Sequence, residues 1–171
     1  PNTPSLAYNP HTGSLTFVYQ NNINRPASAA DISYQRSTDG GKHWSNMRFL
    51  SVTGSGKPAP NDQFFPWIAA ASNGALFAIW FDRRRDPANI NIDTWEARST
   101  NDGATWANRR ISTKSWNPNL GFFSSGAFIG DYNGIAVSNT NVYPVWTDGR
   151  NNAIARTGIG ETDIFTDVEP R

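Results

Sequence analysis

The chain has 171 residues and a net charge of +1, from 15 basic and 14 acidic side chains. Because neither sign dominates, the charge offers no attraction for nucleic acid or an anionic membrane, and we expect neither as a partner. No apolar run approaches the ~20 residues that a membrane-spanning helix needs, and the lack of cysteine excludes disulfides and thiolate metal sites. Aromatic residues reach 13%, beside 14 Gly and 11 Pro, which favours short strands and tight turns over a helical bundle.

Pairs of apolar strands, each joined by a tight turn, recur along the chain. They are predicted at residues 5–19, 66–80 and 132–146. In the second pair, Asn73-Gly74 stands between two apolar runs and is a strong hairpin signal. The recurrence indicates an internal repeat, and repeats are the first feature to settle because they decide the fold.

A third strand and the turn after it are repeated in register. Residues 31–44 match residues 93–106 at Asp, Arg, Ser, Thr, Gly and Trp, and residues 163–166 resemble the start of the first copy. Fourth strands are predicted at 47–52 and 109–112. The third copy stops after its third strand.

Four antiparallel strands in a repeat of about 40–60 residues are typical of a β-propeller blade. The sequence therefore predicts an all-β fold of three four-stranded antiparallel blades, at residues 4–52, 64–113 and 128–170. A β-sandwich would also explain many short strands, but it has no need for a repeated turn motif.

The repeated turn has the pattern Ser-x-Asp-x-Gly-x-x-Trp, with Asn in place of Asp in the second copy. An Asp or Asn side-chain oxygen can accept hydrogen bonds from backbone N–H groups within the turn. The glycine can adopt a positive φ without penalty, and the Trp ring packs beneath the hairpin. We expect these residues to stabilise the fold rather than to act on a substrate; they are Ser37, Asp39, Gly41, Trp44, Ser99, Asn101, Gly103 and Trp106.

This turn pattern resembles the Asp box of sialidase-like propellers. The stretches 78–89, 128–134, 145–150 and 163–165 are also similar to blades of bacterial exo-α-sialidase-like (BNR-repeat) proteins. The resemblance implies a secreted or cell-surface protein with a six-bladed ring that binds ligands where the blades converge. Three blades cannot close such a ring, so we expect the other blades to come from the same parent chain or from another copy.

The resemblance also implies a catalytic arrangement, in which a Tyr nucleophile is assisted by a Glu and an Asp is the acid/base. Tyr132 stands where that nucleophile would be, with Asp131 beside it. The same two residues can instead form a buried hydrogen-bonded pair. The Arg expected shortly before the Tyr is absent from residues 122–130, and the family's Arg-Ile-Pro motif is replaced by Phe64-Phe65-Pro66.

Charged residues follow the ends of two strands. Three arginines in the family hold the substrate carboxylate, because a guanidinium group binds a carboxylate through two hydrogen bonds. The candidates for such substrate contacts are Arg83, Arg84, Asp148 and Arg150. The alternative, which we favour, is that Asp82–Arg83 and Asp148–Arg150 form equivalent ion pairs that anchor the loops.

Two further patterns have a functional and a structural explanation. The oxygen-rich set Asp82, Asp86, Asn89 and Asp93 can hold Ca²⁺, but turn formation explains the same residues, so we expect neither a metal nor a cofactor. Aromatic rings can stack on sugars, although core packing is commoner for Trp; the candidates are Trp67, Trp95 and Trp116.

Two functions therefore stay open at this point. The first is a secreted sialidase-like propeller that binds and hydrolyses glycans as an exo-α-sialidase-type glycoside hydrolase. The second is a non-catalytic adhesion, scaffold or carbohydrate-binding propeller of the bacterial surface. A glycan is the expected ligand of the hydrolase, the adhesin and the carbohydrate-binding propeller, but not of a pure scaffold.

Overall fold

The computed structural model describes residues 4–23, 29–123, 126–151 and 162–171. Within these ranges the regular structure is β-strand, apart from one short 3₁₀ turn at Pro118–Leu120. No helix in the described part of the chain is long and apolar enough to cross a membrane.

Three sheets of four antiparallel strands follow one another along the chain, with a two-stranded hairpin before the last. Blade 1 contains β1 (Ser5–Tyr8), β2 (Leu15–Asn21), β3 (Asp31–Ser37) and β4 (Arg48–Phe49). Blade 2 contains β5 (Gln63–Ala70), β6 (Leu76–Asp82), β7 (Asp93–Ser99) and β8 (Ala107–Arg110). The hairpin is β9 (Phe122–Phe123) with β10 (Gly126–Ala127), and blade 3 contains β11 (Gly134–Val137), β12 (Asn141–Asp148), β13 (Asp163–Thr166) and β14 (Glu169–Pro170).

Blade 3 reaches four strands in a different way from the other two. Val145 of β12 pairs with β11 on one edge and with Thr166 of β13 on the other. Val142 likewise pairs with β11 and with Glu169 of β14. Since a strand has only two edges, β13 and β14 share the edge opposite β11 and together form the third row of the sheet.

The fourth strands of blades 1 and 2 end earlier than the sequence predicted. In blade 1, the backbone N–H groups of Leu50 and Ser51 both donate to the carbonyl of Ile32, so the ladder stops there. In blade 2, Ile111 and Ser112 donate to Thr94 in the same way. The predicted strands 47–52 and 109–112 are therefore β4 and β8, which end at Phe49 and Arg110.

The blades pack side by side, with blade 2 in the middle. Every residue of β6 is buried, as expected for a strand covered on both faces. Trp80 packs with Val18 and Ile32 of blade 1, whereas Phe81 packs with Trp146 of blade 3. β5 also contacts both β1 and β11, so the first strands of the three blades line up on one side, which we call the inner side.

The two ends of the sheets form two different surfaces. At one end lie the hairpins between first and second strands and the turns between third and fourth strands, and we call this end the turn face. The opposite end, the loop face, carries the loops between second and third strands and the connections between blades. The turn face includes residues 9–14, 38–47, 71–75, 100–106 and 138–140, and the loop face includes 50–62, 83–92, 111–123, 126–133 and 149–151.

This arrangement confirms the predicted all-β fold with three consecutive antiparallel blades.

Candidate functional site

The two repeated turns make the same hydrogen bonds on the turn face. In the first turn, the Ser37 hydroxyl accepts from the Gly41 N–H at 2.9 Å, and Asp39 Oδ1 accepts from the His43 N–H at 2.9 Å. In the second turn, Ser99 accepts from Gly103 and Asn101 accepts from Thr105, each at 2.9 Å. Carboxylate and amide oxygens thus close the turn equally well, which gives these side chains a local structural role.

Asp39 is charged in this turn at neutral pH. Its carboxylate accepts from the His43 backbone N–H, lies 2.6 Å from His43 Nδ1 and accepts from the Ser37 hydroxyl. The His43 backbone bond, followed by the His43 and Ser37 side-chain bonds, holds the pKa of the Asp39 carboxyl below its usual value.

Asp102, which the sequence analysis passed over, joins blade 2 to blade 1 on the turn face. Its Oδ1 accepts from Asn9 Nδ2 at 2.7 Å and from the Ser14 hydroxyl at 2.6 Å, and its Oδ2 pairs with the Arg36 guanidinium. Burial pushes the pKa of the Asp102 carboxyl up, but the bonds from Ser14, Asn9 and Arg36 outweigh it and lower the pKa. Its φ of 58° lies in the left-handed region, which is uncommon for non-glycine residues and which Asp tolerates better than most.

On the loop face, Arg84 is held by Asp82 at the end of β6. Arg84 Nε and Nη2 donate to Asp82 Oδ2 at 2.9 and 2.7 Å, and Trp80 Nε1 donates to the same oxygen at 2.7 Å. Arg84 Nη1 reaches blade 1 and donates to the Val52 carbonyl at 2.9 Å. The guanidinium also stacks on Trp95 of its own blade, 3.8 Å from the ring centroid. Through the Val52 bond, the Asp82–Arg84 ion pair therefore connects two blades.

Blade 3 repeats this arrangement at the end of β12. Arg150 Nε and Nη2 donate to the two oxygens of Asp148 at 2.9 and 2.6 Å, and Trp146 Nε1 donates to Asp148 at 3.1 Å. Arg150 Nη1 reaches blade 2 and donates to the Thr113 hydroxyl at 2.7 Å. We call each Trp-x-Asp-x-Arg set a latch, because it fastens a blade to the blade before it.

The latches change the predicted pairing. Arg84, not Arg83, is the counterpart of Arg150, since each arginine follows its Asp by two residues. Arg83 instead pairs with Asp62 at 3.3 Å and lies 5.3 Å from the Phe64 ring centroid. The predicted Asp82–Arg83 ion pair was therefore wrong by one residue. With three successive arginines at 83–85, the sequence did not show which of them faces Asp82.

The oxygen-rich stretch after β6 is used by several separate partners. Asp86 caps its own loop through the N–H groups of Ala88, Ile90 and Asn91. Asn89 donates to Asp62 at 2.7 Å, and Asp93 accepts from Arg110 at 2.9 Å. Among the described residues, no group of three or more Asp, Glu, His or Cys side chains is arranged to hold a metal ion.

A buried carboxylate that the sequence analysis did not consider lies between blades 2 and 3. Glu96 of β7 accepts from Arg109 at 3.1 Å, and Arg109 also pairs with Glu169 of β14. Burial raises the pKa of the Glu96 carboxyl, although Arg109 opposes the rise. This charged set stands on the third and fourth rows of the blades, away from the inner side.

The inner side of the loop face carries an aromatic pair. Tyr132, immediately before β11, is 66% exposed, and its ring centroid lies 6.2 Å from that of Trp67 on β5. Asp131 is exposed beside it. Asn133 is buried and donates to the Phe65 carbonyl at 2.9 Å, which ties the Tyr132 segment to blade 2.

The backbone beneath this pair is strained. β5 contains a bulge between Phe64 and Trp67, and Phe65 adopts a φ of 55°. A bulky side chain in this region costs of order 1–3 kcal/mol and persists only when its surroundings hold it there. Bulges and strained residues cluster next to binding sites. We call Phe65, Trp67, Asp131, Tyr132 and Asn133 the inner rim.

The remaining sequence candidates lie elsewhere. Trp116 is buried in the core between blades 2 and 3, and Trp95 lies under the Arg84 guanidinium. The structure thus brings Asp131, Tyr132 and Trp67 together at the inner rim. It keeps Arg84, Arg150 and Asp148 in the latches, and it leaves the turn residues on the opposite face.

Comparisons with known proteins identify the fold. No family model and no curated protein sequence matches the chain. Among solved structures, an α-L-arabinanase of Penicillium chrysogenum, complexed with arabinobiose, matches with a TM-score of 0.67 at 19% identity, over 97% of this chain and 45% of its own. An α-L-arabinofuranosidase of Fusarium graminearum matches with a TM-score of 0.66 at 14% identity, over 97% and 44%.

A sialidase described as a Hadza microbial enzyme also matches, with a TM-score of 0.59 at 14% identity, over 98% of this chain and 32% of its own. The chain therefore spans less than half the length of these proteins. At such identities the likeness establishes the fold and not the activity. The three blades are part of a β-propeller of the architecture found in arabinan-degrading enzymes and a sialidase.

Proposed function

We propose that the chain is part of a secreted β-propeller that binds glycans at the inner rim and belongs to a glycoside hydrolase. The observation that carries the proposal is the exposed Tyr132 ring beside Trp67, at the inner ends of two neighbouring blades. Solved structures of similar fold support it, since an α-L-arabinanase, an α-L-arabinofuranosidase and a sialidase are among them.

The inner rim suits a sugar ring for physical reasons. The exposed Tyr132 ring and the part of the half-buried Trp67 ring that the core leaves uncovered offer apolar surface to the C–H groups of a sugar, while the Tyr hydroxyl stays available for hydrogen bonding. The exposed Asp131 carboxylate accepts hydrogen bonds from sugar hydroxyls. Asn133 and the bulge in β5 hold these groups on strand ends, which position a site more firmly than free loops.

Hydrolysis of the exo-α-sialidase type is the finer form of this proposal. In it Tyr132 acts as the nucleophile and Asp131 as the acid/base, and a general base must take the proton from the Tyr132 hydroxyl. Glu96 and Glu169 are paired with Arg109 on the outer rows of blades 2 and 3. Neither of these two described glutamates therefore stands at the inner rim to assist Tyr132.

A glycan array with the 171-residue chain tests the binding proposal. We expect Trp67→Ala and Tyr132→Ala each to lower the array signal of the bound glycans at least about tenfold. The reason is that stacking of a ligand on an aromatic side chain contributes on the order of 1–3 kcal/mol. Trp44→Ala is the matched control, since it removes an exposed Trp from the turn face. Unchanged binding by both rim variants, or loss only in the control, would contradict the proposal.

Turnover of the glycans that bind then separates the two functions. An enzyme should release a monosaccharide and lose turnover, but not binding, in Tyr132→Phe. Binding without turnover in a protein with all its blades would favour the non-catalytic carbohydrate-binding propeller instead.

A further inference from the structure

We propose that the inner rim recognises a neutral saccharide and discriminates against one that carries a carboxylate. This inference rests on the proposed glycan binding and adds the substrate class. It stands against the exo-α-sialidase form of that proposal, because the substrate of such an enzyme carries a carboxylate, and binding of an acidic sugar decides between the two. It is carried by the engagement of Arg84 and Arg150 in buried ion pairs, together with the exposed Asp131 at the rim.

The latch arginines are committed to partners within the fold. Arg84 uses Nε, Nη1 and Nη2 for Asp82 and the Val52 carbonyl, and its side chain is only 9% exposed. Arg150 uses the same three nitrogens for Asp148 and Thr113. Both carboxylates are fully buried, so an arginine that turned toward a substrate would leave an unpaired buried charge.

The latches are also held by aromatic rings and by the neighbouring blades. Arg84 lies over Trp95 and Arg150 over Phe165, at 3.8 and 4.1 Å from the ring centroids. Because each latch contacts the preceding blade as well, releasing its arginine would weaken a blade junction. This arrangement recurs in both blades and serves the fold, and the Nε–Nη2 edge of each guanidinium is already paired with an aspartate.

Arg83 is the least committed of the loop-face arginines. It makes one hydrogen bond to Asp62, at 3.3 Å, and its Nε has no partner among the described residues. Asp62 is also held by Asn89 and by the Ala30 N–H, so the carboxylate stays in place beside Arg83. The exposed Arg85 lies in the loop between β6 and β7, whereas the rim is built on β5 and the segment before β11.

At the rim itself the described charge is negative. Asp131 is exposed next to Tyr132, and the other rim residues are neutral. A ligand carboxylate would meet Asp131 without a cation to balance it, whereas neutral hydroxyl groups can donate to that carboxylate. The described rim therefore favours neutral sugars.

Binding measured by saturation-transfer NMR and calorimetry tests the inference on the 171-residue chain. The probes are arabinotriose, 3′-sialyllactose and the methyl ester of 3′-sialyllactose, which differs from the acid mainly in charge. We expect arabinotriose or the methyl ester to bind at least about tenfold more tightly than 3′-sialyllactose itself, the acid. Equal or tighter binding of the acid would overturn the inference, and loss of that binding in Arg83→Ala would identify the responsible cation.

A second variant checks the role of Asp131. Asp131→Asn should narrow the difference between ester and acid about three- to fivefold, because it removes one charge near the ligand. Asp39→Asn, which removes an exposed carboxylate from the turn face, should leave the difference unchanged. An unchanged difference in Asp131→Asn would overturn the part assigned to Asp131. If no probe and no array glycan binds, the proposed function itself fails, and the inference fails with it.

Discussion

The turns of blades 1 and 2 have nearly the same sequence pattern and the same internal hydrogen bonds, but their surroundings differ. Ser37 and Ser99 accept the same backbone N–H at the same distance, as do Asp39 and Asn101. The local geometry of the motif therefore depends on the motif itself. What differs is the contact that each turn makes with a preceding blade.

The Trp ring shows this difference most clearly. Trp106 packs against Tyr34 of blade 1, with ring centroids 5.6 Å apart, and the Tyr34 hydroxyl donates to the Gly103 carbonyl. In the first turn, Trp44 itself donates to the equivalent carbonyl of Gly41, and its ring is 37% exposed. A neighbouring blade thus takes over a hydrogen bond that the isolated turn makes on its own.

The second difference is one residue within the turn. Gly40 of the first turn, with a φ of 73°, corresponds to Asp102 of the second, with a φ of 58°. Asp102 uses this position to bind three side chains of blade 1. The comparison teaches that a local turn motif becomes a blade junction through one added side chain.

The largest expected effect comes from the Trp rings. Trp106→Ala should lower the free energy of unfolding by about 3 kcal/mol, since it empties a packed position between two blades. Trp44→Ala should cost less than half as much, because that ring is more exposed. Urea unfolding followed by circular dichroism gives both values, and equal losses would remove the distinction between the two turns.

Asp102→Ala is expected to come next. It leaves Asn9, Ser14 and Arg36 without their acceptor, and the expected loss is about 2 kcal/mol. Thr100→Ala, an exposed position in the same turn, is the control and should change stability by less than about 0.5 kcal/mol. Thermal unfolding of the two variants decides the matter, and a control-sized loss in Asp102→Ala would show that the junction does not depend on this carboxylate.

The serine variants address what the turns share. Ser37→Ala and Ser99→Ala each remove the acceptor of two backbone N–H groups, one at 2.9 Å and one at 3.4 Å, and should each cost about 1 kcal/mol. We expect the two losses to agree closely, because the hydrogen bonds are local in both turns. Chemical denaturation of the pair measures this, and a clearly larger loss in one turn would mean that the neighbouring blade also acts through the serine.

The smallest effect concerns Asp39, which the second turn replaces with Asn101. The lowered pKa of Asp39 means that the unfolded chain binds more protons than the folded one in acid, so Asp39 stabilises the fold at neutral pH. This contribution is lost as the pH falls from the unfolded pKa through the lower folded one. Asp39→Asn converts the turn to the Asn101 type and should flatten the stability profile below about pH 4. If the free energy of unfolding of Asp39→Asn fell with acid as steeply as that of the original chain, Asp39 would not be the group responsible.

The local parts of the fold could be predicted from the sequence because their signals lie within a few residues. Asn73-Gly74 does sit in the hairpin between β5 and β6, and the strands before and after each turn were placed from their apolar pattern. Asp102 was passed over because its partners Asn9, Ser14 and Arg36 are far away in the chain. Arg84 was confused with Arg83 for a similar reason, since its distinguishing partner is the Val52 carbonyl of another blade.

The inner rim was only half predictable. Tyr132 and Asp131 were proposed from a resemblance, and Trp67 was one of three Trp candidates without any means of choosing among them. Only packing separates Trp67 from the buried Trp116 and from Trp95 under Arg84. The use of Tyr132 and Asp131 in catalysis stays a prediction.

The repeat, the strand order of blades 1 and 2 and the turn hydrogen bonds of Asp39 and Asn101 follow from the sequence alone, because these depend on short-range geometry and side-chain periodicity. The tertiary structure decided which arginines are held in latches, which Trp rings are covered and where two blades bring aromatic side chains together. Those outcomes depend on contacts between blades, and residues distant in the chain meet only after each sheet has formed and packed against the next.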